Sequence, residues 1–221
     1  EDEDGDGDED EDEEPTQQEG ESFVIEDLDM EGGTTSPKLS KTKSLTVDDY
    51  DFEVKDLVGK IGLSRSMYFN EKKKNEFTYK EKTEENFSRI FSPEELPKYS
   101  SKIASFCSTL KKSKGISLIY SQFIDGGCVP VALALEEMGF TRYKGSKRGS
   151  LFKSPPSEPI DARNMKPRSE QGEDFKQASY VMITGDIALS PNNVTDLKAV
   201  TDEKNHDGSI VKVVIISKAG S

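Results

Sequence analysis

Histidine and cysteine are scarce in this chain, and their scarcity removes several kinds of chemistry at once. The 221 residues contain one histidine, His206, and two cysteines, Cys107 and Cys128. His206 sits in KNHDG with no Ser, Cys or carboxylate partner apparent, so it reads as a solvated turn residue and Ser/His/Asp catalysis is disfavoured. The cysteines stand far apart with no further Cys or His at metal-ligand spacing. That pattern argues for a reducing compartment and against a disulfide scaffold or a zinc site. No apolar run approaches the ~18 residues of a membrane span, and no signal peptide is visible. The sequence also has no G-x-x-x-x-G-K-[ST] loop, no strand ending in adjacent Asp-Glu and no G-x-G-x-x-G. Signatures for holding Mg-ATP or a dinucleotide are therefore missing from it, and no repeat of fixed period appears.

Charge is abundant and unevenly placed. Of 43 acidic residues, 18 fall between Glu1 and Glu31, where there is no Lys or Arg, leaving 25 acidic against 30 basic residues in the rest. The acidic character thus belongs to the tail. Its first fourteen residues, EDEDGDGDEDEDEE, repel one another and offer no apolar surface to offset the entropy of ordering, so a disordered acidic segment is expected. The chain begins with Glu, and neither end resembles a natural boundary, so an excerpt from a longer protein is expected. Residues 1–85 read as acidic segment and linker with one marginal element, and Lys72, Lys73 and Lys74 in it read as a solubility cluster, a nucleic-acid contact being the alternative.

From residue 86 onward the pattern is that of a domain. SPEE opens a short turn limited by Pro97. A second start at Ser100 or Ser101 gives Ile103, Phe106, Cys107 and Leu110 one helical face that closes at Gly115. ISLIYS, residues 116–121, predicts a strand buried on both faces. QFIDGG turns the chain. VPVALALEEMG predicts a helix with Pro130 in its first turn and Gly139 as its stop. FTRYKG predicts a second strand, so a βαβ unit and a parallel sheet are expected. Residues 145–179 are Pro-rich and aperiodic, as in a surface insertion. YVMITG predicts a third strand, and SPNN a helix start with Ser190 as cap, Pro191 in first position and Val194, Leu197 and Val200 on its face. NHDG is a turn and IVKVVIIS a fourth strand. Strands alternating with helices predict an α/β fold.

Open parallel sheets place ligands beyond the carboxyl ends of their strands. The residues that follow the predicted strands are SQF, KGSKRG, TGD and SKAGS, a set of small, hydroxyl and basic residues suited to phosphate oxygens. Read singly, each also suits an ordinary turn.

LPKYSSKIASFCSTLKKSKGISLIYSQFIDGGCVPVALALEEMGFTRYKG, followed by YVMITGDIALSPNNVTDLKAV and DGSIVKVVIISKAGS, resembles the second RecA-like lobe of superfamily-two, Swi/Snf-type helicases. The closest flavour is the helicase and early-transcription ATPase group of nucleo-cytoplasmic large DNA viruses. The resemblance covers roughly residues 91–221, with the insertion departing from compact cellular members. It implies a parallel RecA-like sheet with flanking helices over 86–221, an incomplete lobe. ISLIYSQF looks like motif IV, TGD like the turn after the next strand and SKAGS like the opening of motif V. Ser121, Gln122, Phe123, Gly185, Ser217, Lys218, Ala219 and Gly220 are thereby implied as nucleic-acid contacts. The resemblance further implies ATP and Mg held in the full-length protein by a first lobe not in this sequence, with no catalytic or metal-ligating residue in the excerpt. DNA, that first lobe and transcription machinery would be its partners, and host cytoplasm or virion its location.

Two readings from other classes stand beside this one. An acidic tail that binds basic proteins on a non-enzymatic scaffold predicts binding lost on deletion of residues 1–31. A small nucleotide-dependent enzyme is disfavoured because no acid/base pair or cofactor loop can be named. Within the helicase reading, the acidic tract is a solvated inter-lobe linker or a decoy for the nucleic-acid surface.

Overall fold

The computed structural model describes residues 53–57, 59–144 and 149–218; the acidic segment, Ala219 and Gly220 lie outside them. Where linker is expected, the chain instead forms helix α1 (Gly59–Ser66), a hairpin of β1 (Met67–Asn70) and β2 (Asn75–Tyr79), and helix α2 (Glu81–Phe87). Met67 and Phe77 are fully buried, and Phe69 stacks on Phe77 with ring centroids 4.7 Å apart. These apolar residues look isolated in the sequence because their partners are remote. Phe77 bridges to Phe152, donating to Leu151 O at 2.9 Å and accepting from Lys153 N at 3.1 Å.

That pairing also revises the insertion. Residues 149–179 are not a purely surface excursion, since Leu151, Phe152, Ile160 and Ala162 enter the core. The buried carboxylate of Asp161 holds the segment's own backbone, accepting from Arg163 N and Lys176 N, each at 2.8 Å. Pro-rich sequence removes helical and strand periodicity, but irregular backbone can still pack when its polar groups are bonded locally.

Helix α3 (Ser101–Leu110) starts as its sequence predicts, with the Ser100 hydroxyl accepting from Ile103 N at 3.3 Å and Cys107 and Leu110 buried. Strands β3 (Ser117–Ser121), β4 (Thr141–Arg142), β5 (Ser179–Ile183) and β6 (Val213–Ser217) then form one parallel sheet in the order β3-β6-β5-β4. The parallel α/β expectation holds in that coarse form. The βαβ unit does not join neighbours, however, because β5 and β6 separate β3 from β4. β3 is therefore an edge strand, and the expected burial of both its faces is corrected: Leu118 and Tyr120 are 65% and 55% exposed.

Between β3 and β4 runs helix α4 (Val129–Glu137), buried at every residue but Pro130. Its sequence is apolar on every side, which suits a helix covered on every side. Glu136 shows how. Its carboxylate accepts the Tyr180 hydroxyl from the sheet at 2.6 Å, and accepts Leu151 N and Phe152 N from the insertion at 2.8 and 3.0 Å. Gly139 ends the helix at φ +95, where a Cβ would stand 2.3 Å from Glu158 O. Tyr180, Met182, Val213 and Ile215 face this side of the sheet, while Val181, Ile183, Val211 and Val214 face the other with helix α5 (Asn193–Val200).

The α5 prediction needs correction in register. The helix starts at Asn193, and the Ser190 hydroxyl is occupied elsewhere, accepting from Thr184 N at 2.9 Å. Val194 and Leu197 are 70% and 51% exposed, whereas Asp196 is fully buried. Of the predicted face only Val200 packs, together with Ala199, against the sheet.

Candidate functional site

At the carboxyl ends of the parallel strands, Ser121 and Ser217 are in-register partners on β3 and β6. Successive strand residues alternate faces, so Ser121 lies with Ile119, and Ser217 with Val213 and Ile215, on the α4 side. SQF and SK, almost a hundred residues apart in sequence, thus leave the sheet side by side. Gln122, Phe123, Gly185 and Lys218 are exposed around them, Phe123 to 62%. Ser217 is fully buried and its hydroxyl has no partner among the described residues. The two remaining expected contacts, Ala219 and Gly220, lie outside the described residues.

The turn after β3 is more specialised than QFIDGG suggests. Ser121 Oγ accepts from Phe123 N at 3.2 Å and donates to Phe123 O at 3.0 Å, after which Ile124–Cys128 forms a π-helical turn into α4. Such turns recur at functional positions. Gly127 is required by the close approach, since a Cβ there would stand 2.0 Å from Ser121 Oγ, while at Gly126 nothing lies within 4 Å. Cys128 Sγ sits 3.9 Å from both Ser121 O and Ile216 O, spanning the two strand ends. Burial pushes its thiol up to about 11, so it is an uncharged packing group at neutral pH.

The loop after β5 is held from within. Thr184 Oγ1 lies in hydrogen-bond contact with Ser190 Oγ and accepts from Asp186 N at 3.2 Å, while Asp186 Oδ1 accepts from Ala188 N at 2.8 Å. Asn193 Nδ2 donates to Thr184 O at 3.2 Å, tying the start of α5 to the strand end. Behind this loop, buried Arg142 donates to Leu189 O. Both carboxylate oxygens of Asp196 lack a partner among the described residues; burial raises its pKa, and Arg142 opposes that shift.

Lys74 connects the two loops. From the tip of the β1–β2 hairpin its ammonium donates to Asp125 Oδ1 at 2.6 Å and lies 3.4 Å from Asp186 Oδ2. Desolvation lowers its pKa, but the two carboxylates outweigh this and hold it above the usual lysine value. The sequence offered Lys74 only as one of three consecutive lysines, and Asp125 and Asp186 only as turn residues. Nothing in their local pattern says that three remote turns meet.

Among the described residues no group of three or more His, Cys, Asp or Glu side chains is placed to hold a metal ion. No described helix is long and apolar enough to cross a membrane. No family model, no curated protein and no solved structure matches the chain.

Proposed function

We propose that this chain supplies the second RecA-like lobe of a superfamily-two, Swi/Snf-type nucleic-acid motor, of the group found in nucleo-cytoplasmic large DNA viruses. The observation that carries the reading is the in-register pair Ser121 and Ser217, which makes one surface of SQF and SK beyond the strand ends, where parallel sheets bind ligands. DNA lies across that surface, with exposed backbone N–H groups, the Gln122 amide and the Lys218 ammonium donating to phosphate oxygens, while the buried Ser217 and the internally bonded Ser121 shape the strand ends beneath them. Such contacts give sequence-independent, salt-sensitive binding.

Mg-ATP does not fit the residues present. The sequence has no phosphate-binding loop, and the described acidic side chains form no cluster for a cation. On this reading ATP and Mg are held by a first lobe elsewhere in a longer protein, and the present chain contributes the moving half of the nucleic-acid clamp. Transcription machinery, in a host cytoplasm or virion, is the partner class for a motor of this group.

The test is fluorescence anisotropy of a labelled single-stranded thymidine 20-mer with residues 1–221. Binding at low salt is expected to weaken log-linearly with salt, with a slope of roughly −0.7 per phosphate contacted. Phosphate release from ATP is expected to stay at background with or without DNA. Absence of low-salt binding, or turnover above background, overturns the reading.

A further inference from the structure

The loops after β3 and β5 carry Asp125 and Asp186 beside exposed Gln122 and Gly185, which is an unfavourable place for carboxylates if a polyanion is to lie there. Lys74 is positioned against both, at 2.6 Å and 3.4 Å. The backbone there is tightly turned. Lys74 adopts φ +47, a left-handed conformation that costs an ordinary side chain of order 1 kcal/mol. The turn that imposes it is closed by Lys74 N donating to Asn70 O at 2.7 Å and Lys73 N donating to Asn70 Oδ1 at 3.0 Å. Lys72 and Lys73, in the same turn, are exposed, whereas the Lys74 side chain is 22% exposed. One lysine of the three is therefore withdrawn from solvent and spent on two carboxylates from separate loops.

We infer that Lys74 is a positioning residue for the nucleic-acid surface: it neutralises Asp125 and Asp186 and holds the loops after β3 and β5 together, without itself contacting phosphate. This rests on the nucleic-acid reading above. Its distinguishing consequence is charge rescue. With Lys74 removed, two carboxylates face the phosphates and binding weakens; with the carboxylates also removed, the repulsion goes and binding returns. A lysine that contacts phosphate directly could not be rescued in this way, because its contact would still be missing.

The experiment compares thymidine 20-mer binding by the full chain and its Lys74 variants at two salt concentrations. Lys74→Ala is expected to lose about fivefold in affinity at low salt, and less at high salt, as for unit charges at the surface. Lys74→Gly, which suits φ +47 without strain, is expected to lose the same amount while keeping the hairpin, monitored by thermal unfolding. Lys74→Arg is expected to retain binding. Lys74→Ala combined with Asp125→Asn and Asp186→Asn is expected to return to within about twofold of the parent with an unchanged salt slope. If that triple variant stays weak and its slope falls by about 0.7, Lys74 is a phosphate contact and the inference is overturned. It is also overturned if Lys74→Gly binds like the parent. If the parent chain itself does not bind, the nucleic-acid reading fails, which is a separate result.

Discussion

The Tyr79 hydroxyl donates to Glu137 Oε1 over 2.7 Å, joining β2 to the end of α4. Arg89 meets the same carboxylate through Nε and Nη2, at 3.0 to 3.2 Å, and the Tyr79 oxygen accepts in turn from Phe91 N at 3.2 Å. The Glu137 side chain is only 3% exposed, so these partners stand in for the water its oxygens have lost. Tyr79→Phe is expected to destabilise the chain by about 1 to 2 kcal/mol, the cost of a lost hydrogen bond to a buried charged group. Glu137→Ala, which strands Arg89 and Tyr79 together, is expected to cost about 3 kcal/mol. Urea unfolding checks both, and a Tyr79→Phe midpoint equal to the parent's would show that this hydroxyl adds nothing to the hairpin's other ties.

Adjacent glycines give a sharper contrast. Gly127→Ala would push a methyl to 2.0 Å from Ser121 Oγ, whereas Gly126→Ala meets nothing within 4 Å. The first is expected to destabilise by about 2 kcal/mol, in the range of overpacking, and the second to change stability by less than about 0.5 kcal/mol. Adding Ser121→Gly to Gly127→Ala removes the clashing atoms and is expected to recover most of the loss. Thermal unfolding of the four proteins measures this, and failure of the rescue would place the strain in the π-helical turn itself.

Much of the frame is legible in the sequence because local signals decide it. Ser100 caps α3, Pro130 begins α4 and Gly139 ends it through backbone rules that act over a few residues. Strand order is another matter. ISLIYS is apolar enough for a central strand, yet β3 lies at the edge because β6, from the end of the chain, pairs with one side of it only. Asn205 shows the same limit at one residue. Its NHDG setting reads as a turn, while its fully buried side chain accepts from Ile210 N and Val211 N and donates to Val200 O and Val211 O. The candidate surface is similar: Ser121 and Ser217 follow from strand ends, but Lys74 belongs to it through a contact 51 residues away.

Asp161 supplies a pH dependence whose sign follows from its partners. Desolvation raises its pKa, but Arg163 and the donating N–H groups of Arg163 and Lys176 prevail and hold the folded value below the ordinary one. A depressed carboxylate binds fewer protons in the folded state than in the unfolded state. Its stabilisation is thus complete above the unfolded pKa of about 3.9 and is lost as pH falls through the lower folded value. Asp161→Asn is expected to destabilise the chain by about 2 kcal/mol at pH 7 and to flatten the acid limb of stability against pH. An unchanged acid limb would assign that limb to other carboxylates.

Thiol chemistry offers a probe of the core that does not depend on any function. Cys107 and Cys128 are buried, and burial pushes both thiols up to about 11. At pH 7.5 the reactive thiolate is a minor species, and a reagent must also wait for the α3–α4 packing or the strand-end turn to open. Both cysteines are therefore expected to react with an aromatic disulfide reagent much more slowly than a free thiol, and at free-thiol rates in 6 M guanidinium chloride. The two should also separate. Cys107 lies between helices, whereas Cys128 is the last residue of the π-helical turn that Gly127→Ala strains, so that variant is expected to speed Cys128 about tenfold while leaving Cys107 within about twofold, as local opening predicts. Equal acceleration of both, measured by mass spectrometry of the labelled peptides, would mean that the turn opens only when the whole core does.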